Sequence, residues 1–259
     1  MVDRNVYDVA ARARFYALAP YAHYKQEVYA YQAMALATLP AGSRVLDLGA
    51  GPGHLADVYR QRGGPSLHFV LLDQSRELLK IAQETLGDQA AEYCHRDLNQ
   101  ADWSAGLQPV AAVVSNNALF HLKPARIQAI WTEVAELLEP GGFVLCQQSG
   151  LFNDGVHPYQ DNPISRFLKR MPYAFMPQHP GLMESEVAHL KQLVDLAKLR
   201  DQAASDAERA AGTVADTDYH FLAPEAQLAA MRAAGLVATE IWRKREFSLH
   251  LALKPSTDG

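Results

Sequence analysis

The 259-residue chain is predicted to be an α/β protein, a doubly wound, mainly parallel sheet with helices on both faces. Three observations predict it. Short strand-like runs (Val45–Leu48, Leu67–Leu72, Ala91–His95, Val110–Val114 and Phe143–Gln147) alternate with segments of helical pattern. Breakers or capping residues such as Gly63-Gly64, Ser75, Gly87 and Gly141-Gly142 mark the joints between them. The first run breaks at once into Gly49-Ala50-Gly51-Pro52-Gly53 and then into a helix. With 49% hydrophobic and 20% charged residues, the composition is that of a globular protein. The length suits one large domain or a domain carrying an inserted cap.

Residues 1–40 read as helical. Phe15, Tyr16, Tyr21, His23, Tyr24, Tyr29 and Tyr31 crowd this stretch, and Pro20 divides it into two short helices. Packing on the sheet is the ordinary role of such a layer. Tyrosines, apolar in body and polar at the tip, also suit a lid over a small ligand.

Strand one, Val45–Leu48, leads through the glycines into a helix over Gly53–Arg62. Strand two, Leu67–Leu72, is followed by Asp73 and by a helix capped by Ser75, running to Leu86 with Gly87 at its end. Strand three is Ala91–His95, and Arg96-Asp97-Leu98 follow. Strand four, Val110–Val114, runs into Ser115-Asn116-Asn117. The Pro124–Leu138 helix shows a stripe of Ile127, Ile130, Trp131, Val134, Leu137 and Leu138. Gly141-Gly142 turns the chain into strand five.

After strand five the expected short return is missing, and residues 149–222 form an insertion. Its first half is rich in proline and aromatics. Its second half, Glu184–Ala211, is a long amphipathic helix or helix pair, with Met183, Val187, Leu190, Val194 and Ala197 as a packing stripe. The insertion leaves the ligand-binding rim, so it reads as a cap that shapes a substrate pocket; a dimerisation element, giving a homodimer, is the alternative. A helix from Ala223-Pro224-Glu225 to Gly235 and strands Val237–Trp242 and Phe247–Leu253 complete the fold as an antiparallel pair. The predicted organisation is a helical lid (1–40), a core (41–148 and 223–259) and an inserted cap (149–222).

Wound sheets bind ligands at the C-terminal ends of their strands, near the point where strand order reverses. Gly49, Asp73, Asp97 and Ser115 therefore fall on one rim. A loop of glycines offers bare backbone N–H groups to a ligand. Its spacing is G-x-G-x-G, against the G-x-G-x-x-G of dinucleotide binders, and the lysine of a phosphate-binding loop is absent. A nicotinamide-dependent oxidoreductase is disfavoured accordingly. Asp47 is an acid within an apolar strand. A buried carboxylate is costly unless paired, which points to a cationic or hydroxyl-bearing ligand.

Ser43 to Leu55, with Asp73 after strand two, resembles motif I and the ribose-binding acid of the class I S-adenosylmethionine-dependent methyltransferases. The resemblance covers about 39–148 and again 223–254. It implies a Rossmann-like, seven-stranded sheet and S-adenosyl-L-methionine as cofactor. By that resemblance the backbone at Gly49, Ala50, Gly51 and Gly53 takes the methionine part, and Asp47 helps to hold its amino end. Asp73 accepts the ribose hydroxyls, Gln74 flanks the adenine, Asp97 accepts from the adenine amino group, and Leu98 packs nearby. Ser115 and Asn116 line the space beside the transferable methyl, and an N-terminal helix carrying Tyr16 and Tyr24 covers the cofactor. The Asp/Asn-Pro-Pro-Tyr/Phe motif common among enzymes that methylate DNA bases or protein glutamine is missing. Ser115-Asn116-Asn117-Ala118-Leu119-Phe120-His121-Leu122 looks instead like the corresponding segment of small-molecule methyltransferases.

Hydroxyl acceptors often need a base, for which His121 is the first candidate and His220 the second. His54, His157 and His179 are weaker, and an amine or activated carbon acceptor needs none. The acceptor atom (O, N or C) stays open. A non-catalytic cofactor-binding partner on the same fold is the rival reading.

The net charge of −5 and the lack of any basic run beyond Arg243-Lys244-Arg245 argue against nucleic acid. Neither a cleavable signal nor an apolar stretch of membrane-spanning length is expected, and no metal-ligand spacing is seen. Cys94 and Cys146 read as reduced core residues, and the cytoplasm is the expected location.

Overall fold

In the computed structural model, a single seven-stranded sheet has the order β3-β2-β1-β4-β5-β7-β6. The structure describes residues 13, 17, 23–87, 91–149, 220, 222–244 and 247–256, with backbone alone at 23, 24, 26, 149 and 244. The strands are β1 Arg44–Leu48, β2 His68–Asp73, β3 Ala91–His95, β4 Val110–Asn116, β5 Leu138–Ser149, β6 Val237–Lys244 and β7 Phe247–Leu253. Among the described residues the helices are α1 His23–Leu36, α2 His54–Gln61, α3 Arg76–Leu86, α4 Pro124–Leu137 and α5 Pro224–Ala233, with one 3-10 turn at Leu119–His121.

Strands β1 to β5 run parallel, whereas β7 lies antiparallel to both β5 and β6. The order reverses between β1 and β4, and there the parallel strands end in a shared rim. The central strands β1, β2 and β4, buried on both faces, are apolar along most of their length, whereas the edge strand β3 is largely half-buried or exposed. On one face Leu46, Leu48, Val70, Leu72, Val113 and Val144 pack against Ile127, Ile130, Trp131 and Val134 of α4 and Met231 of α5. On the other, Val45, Phe69, Leu71, Ala112, Val114 and Leu145 meet Val28 and Tyr29 of α1, Leu55 and Tyr59 of α2, and Leu79 and Ala82 of α3. Burying each such aliphatic side chain contributes about 1.5–3 kcal/mol, which makes the sheet a stiff support for its rim.

Among the element ends that differ from the sequence reading, three matter most. Strand β2 extends to Asp73 and β4 to Asn116, so both polar residues are held by sheet pairing rather than by loops. Strand β5 begins at Leu138, and Gly141-Gly142 is an irregularity inside it instead of a turn before it. Two backbone hydrogen bonds hold that irregularity, from Gly141 N to Lys254 O (3.1 Å) and from Lys254 N to Gly142 O (2.8 Å). The insertion lies outside the described residues except for the backbone of residue 149 and for His220 and Leu222, and of the lid, residues 13, 17 and 23–40, α1 among them, are described.

Candidate active site

The rim is assembled by backbone hydrogen bonds between the glycine loop and the end of β2. Gly49 N and Ala50 N both donate to Leu72 O (2.8 and 3.0 Å), and Gly53 N donates to Ala50 O (3.1 Å). Gly51 N donates to Asp73 Oδ2 at 2.8 Å, and Ser75 N to Asp73 Oδ1 at 2.8 Å. This corrects one expectation. The loop's N–H groups are not bare: each donates within the protein, and Pro52 has none. What the glycines supply is close approach. At φ +68°, a Cβ on Gly49 would lie 2.2 Å from Ala118 Cβ. Ala118 reaches that point because Asn117 turns the chain after β4 with φ +52°, a conformation asparagine tolerates. Gly53, at φ +75°, lets α2 pack on α3, where a Cβ would come within 2.9 Å of Leu86 Cδ1.

A first prediction follows from Gly49. Gly49→Ala forces the two rim loops apart and adds left-handed strain, so it is expected to destabilise the fold by about 1–3 kcal/mol. Ala118→Gly in the same chain should return part of that loss by removing the Cβ–Cβ clash while leaving the backbone strain. Thermal melts of the single and double variants check both.

Asp47, Asp73 and Asn116 share one sheet face. Asp47 pairs in register with Leu71 and Val114, and the other two lie two residues further along β2 and β4. Asp47 is 2% exposed, and among the described residues no hydrogen bond reaches its carboxylate. Burial, with the nearby Asp73 charge adding to it, pushes its pKa up to about 8. Asn116 Oδ1 is also buried without a hydrogen-bond partner. Gln147, on the same face beside Asn116, donates from Nε2 to Asn117 Oδ1 at 3.1 Å.

The other expected site residues divide. Gln74 is exposed, and its carbonyl lies 3.0 Å from His95 Nε2. Asp97 organises its own turn: Oδ1 accepts from Asn99 N and Nδ2, and Oδ2 from Gln100 Nε2, leaving one lone pair on Oδ2. Leu98 corrects the sequence reading, because its side chain is buried in the core with Trp103 and Ile127 and only its backbone can border the rim. Ser115 corrects it likewise. Its side chain points into the opposite face, fully buried, and its hydroxyl donates to Leu48 O at 2.9 Å, tying β4 to β1.

His121 sits in the 3-10 turn with its ring 4.5 Å from that of Phe120, and burial lowers its pKa to about 4. It is neutral near pH 7 and a weak base. His220 N donates to Phe120 O at 2.7 Å, which ties the end of the insertion to the segment after β4. Tyr16, His157, His179 and the Met183 stripe lie outside the described residues, as does the Tyr24 side chain.

Sequence reasoning passed over Lys25 and Gln147. Lys25, on α1, is buried with its pKa lowered to about 8 by that burial, and its charge is felt at His54, just after the glycine loop. The signal for it was a lone cation among aromatics. For Gln147 it was a polar residue ending an apolar strand at the rim, the same signal that singled out Asp47.

These residues fit an adenosyl cofactor. Asp73 is a carboxylate fixed at the rim by Gly51 N and Ser75 N, the residue type that accepts from ribose hydroxyls. Asp47 and the unpartnered Asn116 oxygen offer acceptors to an ammonium group, and Gly49 presents no Cβ. Among the described residues no helix is long and apolar enough to cross a membrane, and no group of three or more His, Cys, Asp or Glu could hold a metal ion.

The fold is a Rossmann-like sheet of seven strands with a glycine loop at its switch point, an acid ending β2 and an antiparallel final pair, an architecture that places ligand sites at that switch point. Residues 45–142 match the family described as "Methyltransferase domain". The chain is 31% identical over 144 residues to trans-aconitate 2-methyltransferase of Mycobacterium tuberculosis, across 56% of this chain and 50% of that one. It is 28% identical over 131 residues to arsenite methyltransferase of Halobacterium salinarum, across 49% of this chain and 33% of that one. The chain thus spans a third to a half of the length of these curated relatives. Human N-acetylserotonin methyltransferase in complex with its cofactor shares the fold, with TM-score 0.55, 16% identity, 97% of this chain covered and 58% of that one. Residues 45–142 are thus similar in sequence to a methyltransferase domain, and the fold is one that solved methyltransferases share.

Proposed function

We propose that the chain transfers a methyl group from S-adenosyl-L-methionine to a small acceptor molecule. The observation that carries this reading is Asp73, an acid ending β2 on the rim, whose two oxygens are fixed by Gly51 N and Ser75 N and whose carboxylate chemistry suits vicinal hydroxyls. When bound, the cofactor supplies an activated sulfonium methyl for in-line displacement, so the chain needs no nucleophile of its own. Its contribution is alignment, which in well-oriented systems is worth roughly 7–11 kcal/mol.

In this proposal Asp47 and Asn116 face the amino end of the cofactor, and Asp73 the ribose. Gln74 and the Asp97-Leu98 backbone border the adenine. The 115–122 segment borders the methyl, with His121 and His220 as candidate bases for a hydroxyl acceptor. Residues 1–40, carrying Tyr16 and Tyr24, act as lid and 149–222 as substrate cap. Both cysteines are free, which suits a reducing compartment, and the cytoplasm is the proposed location. The two relatives are named for methylating trans-aconitate and arsenite, small acceptors of unlike chemistry, which supports a small acceptor without choosing its atom.

Calorimetric titration with S-adenosylhomocysteine is expected to give saturable heat. Incubation with a labelled methyl donor and a metabolite extract is expected to place label on a small molecule seen by mass spectrometry. No heat with either cofactor form would end the reading.

A further inference from the structure

The β3–β4 connection is gripped from below by a side chain that sequence reading gave no role. Arg126, in the first turn of α4, donates from Nε to Leu98 O at 2.6 Å and from Nη2 to Gln100 O at 3.1 Å. The same guanidinium is paired on its other edge with Glu133, from Nη1 to Oε1 at 2.7 Å and from Nη2 to Oε2 at 2.9 Å. Arg126 and Glu133 are seven residues apart, two turns of one helix, and so share a face. Trp103 Nε1 donates to that carboxylate too, from an indole that is 1% exposed. A forked pair of this kind fixes the guanidinium plane as well as its position. The two gripped carbonyls bracket the turn that Asp97 closes through Asn99 and Gln100. Nothing in that connection is strand or helix, so besides Arg126 the turn's placement rests on its own local bonds, on the Arg96 N bond to Asp73 O just before it, and on the buried Leu98 and Trp103 side chains.

We propose that Arg126, held by Glu133 and Trp103, is a positioning residue for nucleobase recognition: it sets the Asp97–Gln100 turn at the distance at which that turn reads the 6-amino edge of the cofactor's adenine. This rests on the proposed cofactor reading, in which Asp97 faces the adenine amino group. Arg126 itself lies behind the turn and touches no ligand. Its loss should blur discrimination at the base while sparing the ribose and methionine contacts, which hang on Asp73 and the glycine loop.

The test titrates S-adenosylhomocysteine and S-inosylhomocysteine, in which the 6-amino group is replaced by oxygen, into wild type, Arg126→Met, Arg126→Lys and Glu133→Gln. Methionine keeps most of the apolar stem and removes every donor. Wild type is expected to prefer the adenosyl form. Arg126→Met should weaken that form about tenfold, as for loss of an ordered charged hydrogen bond, and leave the inosyl form within about twofold. Lysine, which can reach one carbonyl, should fall between, and Glu133→Gln should show a smaller loss of preference. Thermal melts establish that each variant is folded, and the two milder variants carry the test if Arg126→Met is not. The proposal is overturned if folded variants keep the wild-type preference, whether affinity is unchanged or both nucleosides weaken equally, since a purely structural staple would do that. A wild type that binds neither nucleoside removes the proposed function and this inference together.

Discussion

Asp73→Ala is expected to lower affinity for S-adenosylhomocysteine at least a hundredfold, the largest single effect at the rim. The substitution acts twice. It removes the acceptor proposed for the ribose, and it strips the partner from Gly51 N and Ser75 N, both held at 2.8 Å. Hydrogen bonds to a charged group are worth about 1.5–3 kcal/mol each, and a buried donor left without a partner costs about 1–3 kcal/mol. Ser75 also caps α3, its Oγ accepting from Leu78 N, so the start of that helix loosens with the loop. Asp73→Asn retains one carbonyl acceptor but presents an NH2 to the other donor, and should fall between wild type and alanine. Titration calorimetry beside a thermal melt separates the two consequences, because lost stability is read without ligand. Wild-type affinity in Asp73→Ala would leave the ribose assignment without support.

Asp47→Asn should do the reverse to the unliganded protein and stabilise it, increasingly so as pH rises. The folded-state pKa of about 8 lies above the ordinary 3.8, so between these values the folded protein binds more protons than the unfolded chain. Folding stability therefore falls as pH rises through this window, at about 1.4 kcal/mol per pH unit where the difference is one full proton. It levels off above the folded-state pKa. Asparagine has no proton to lose, so melts of variant and wild type should nearly coincide at about pH 4 and diverge towards pH 8, by about 5 kcal/mol at most. Ligand reverses the balance. A cationic amino group at Asp47 draws the carboxyl into its charged form, so wild-type binding should release protons near neutral pH and the variant should not. Titrations in buffers of different ionisation enthalpy read that release directly. Equal proton release by both proteins would place the cation elsewhere.

The sheet was legible because its strand runs are short and separated by breakers, so that even the half-exposed edge strand β3 was read with both ends correct at Ala91 and His95. Asp47 and Asp73 were legible for the opposite reason, since a carboxylate in or beside such a run has no packing purpose. Errors arose where one residue type serves two ends. Ser115 follows an apolar run at the rim, as a site residue would, yet the twofold alternation of β4 turns its hydroxyl to the opposite face and on to Leu48 O. Leu98 stands beside Asp97 but is drawn into the core by Trp103 and Ile127. Gly141-Gly142 looked like a turn because a glycine pair usually is one; only the distant Lys254, reaching it through the sheet, makes it part of β5. Arg126 could not have been found by pattern, because its partners Leu98 O and Gln100 O are main-chain atoms with no signature in the sequence.

The amides at Gly49, Ala50, Gly51 and Gly53 are all spent on Leu72, Asp73 and the loop itself. The cradle is thus preassembled, and docking a nucleoside there requires little further ordering of the main chain. The entropic cost of association falls instead on the ligand's own rotors and on whatever closes over it. Affinity engineered at this floor would come from altering side chains that face the ligand, since the backbone beneath has no rigidity left to gain.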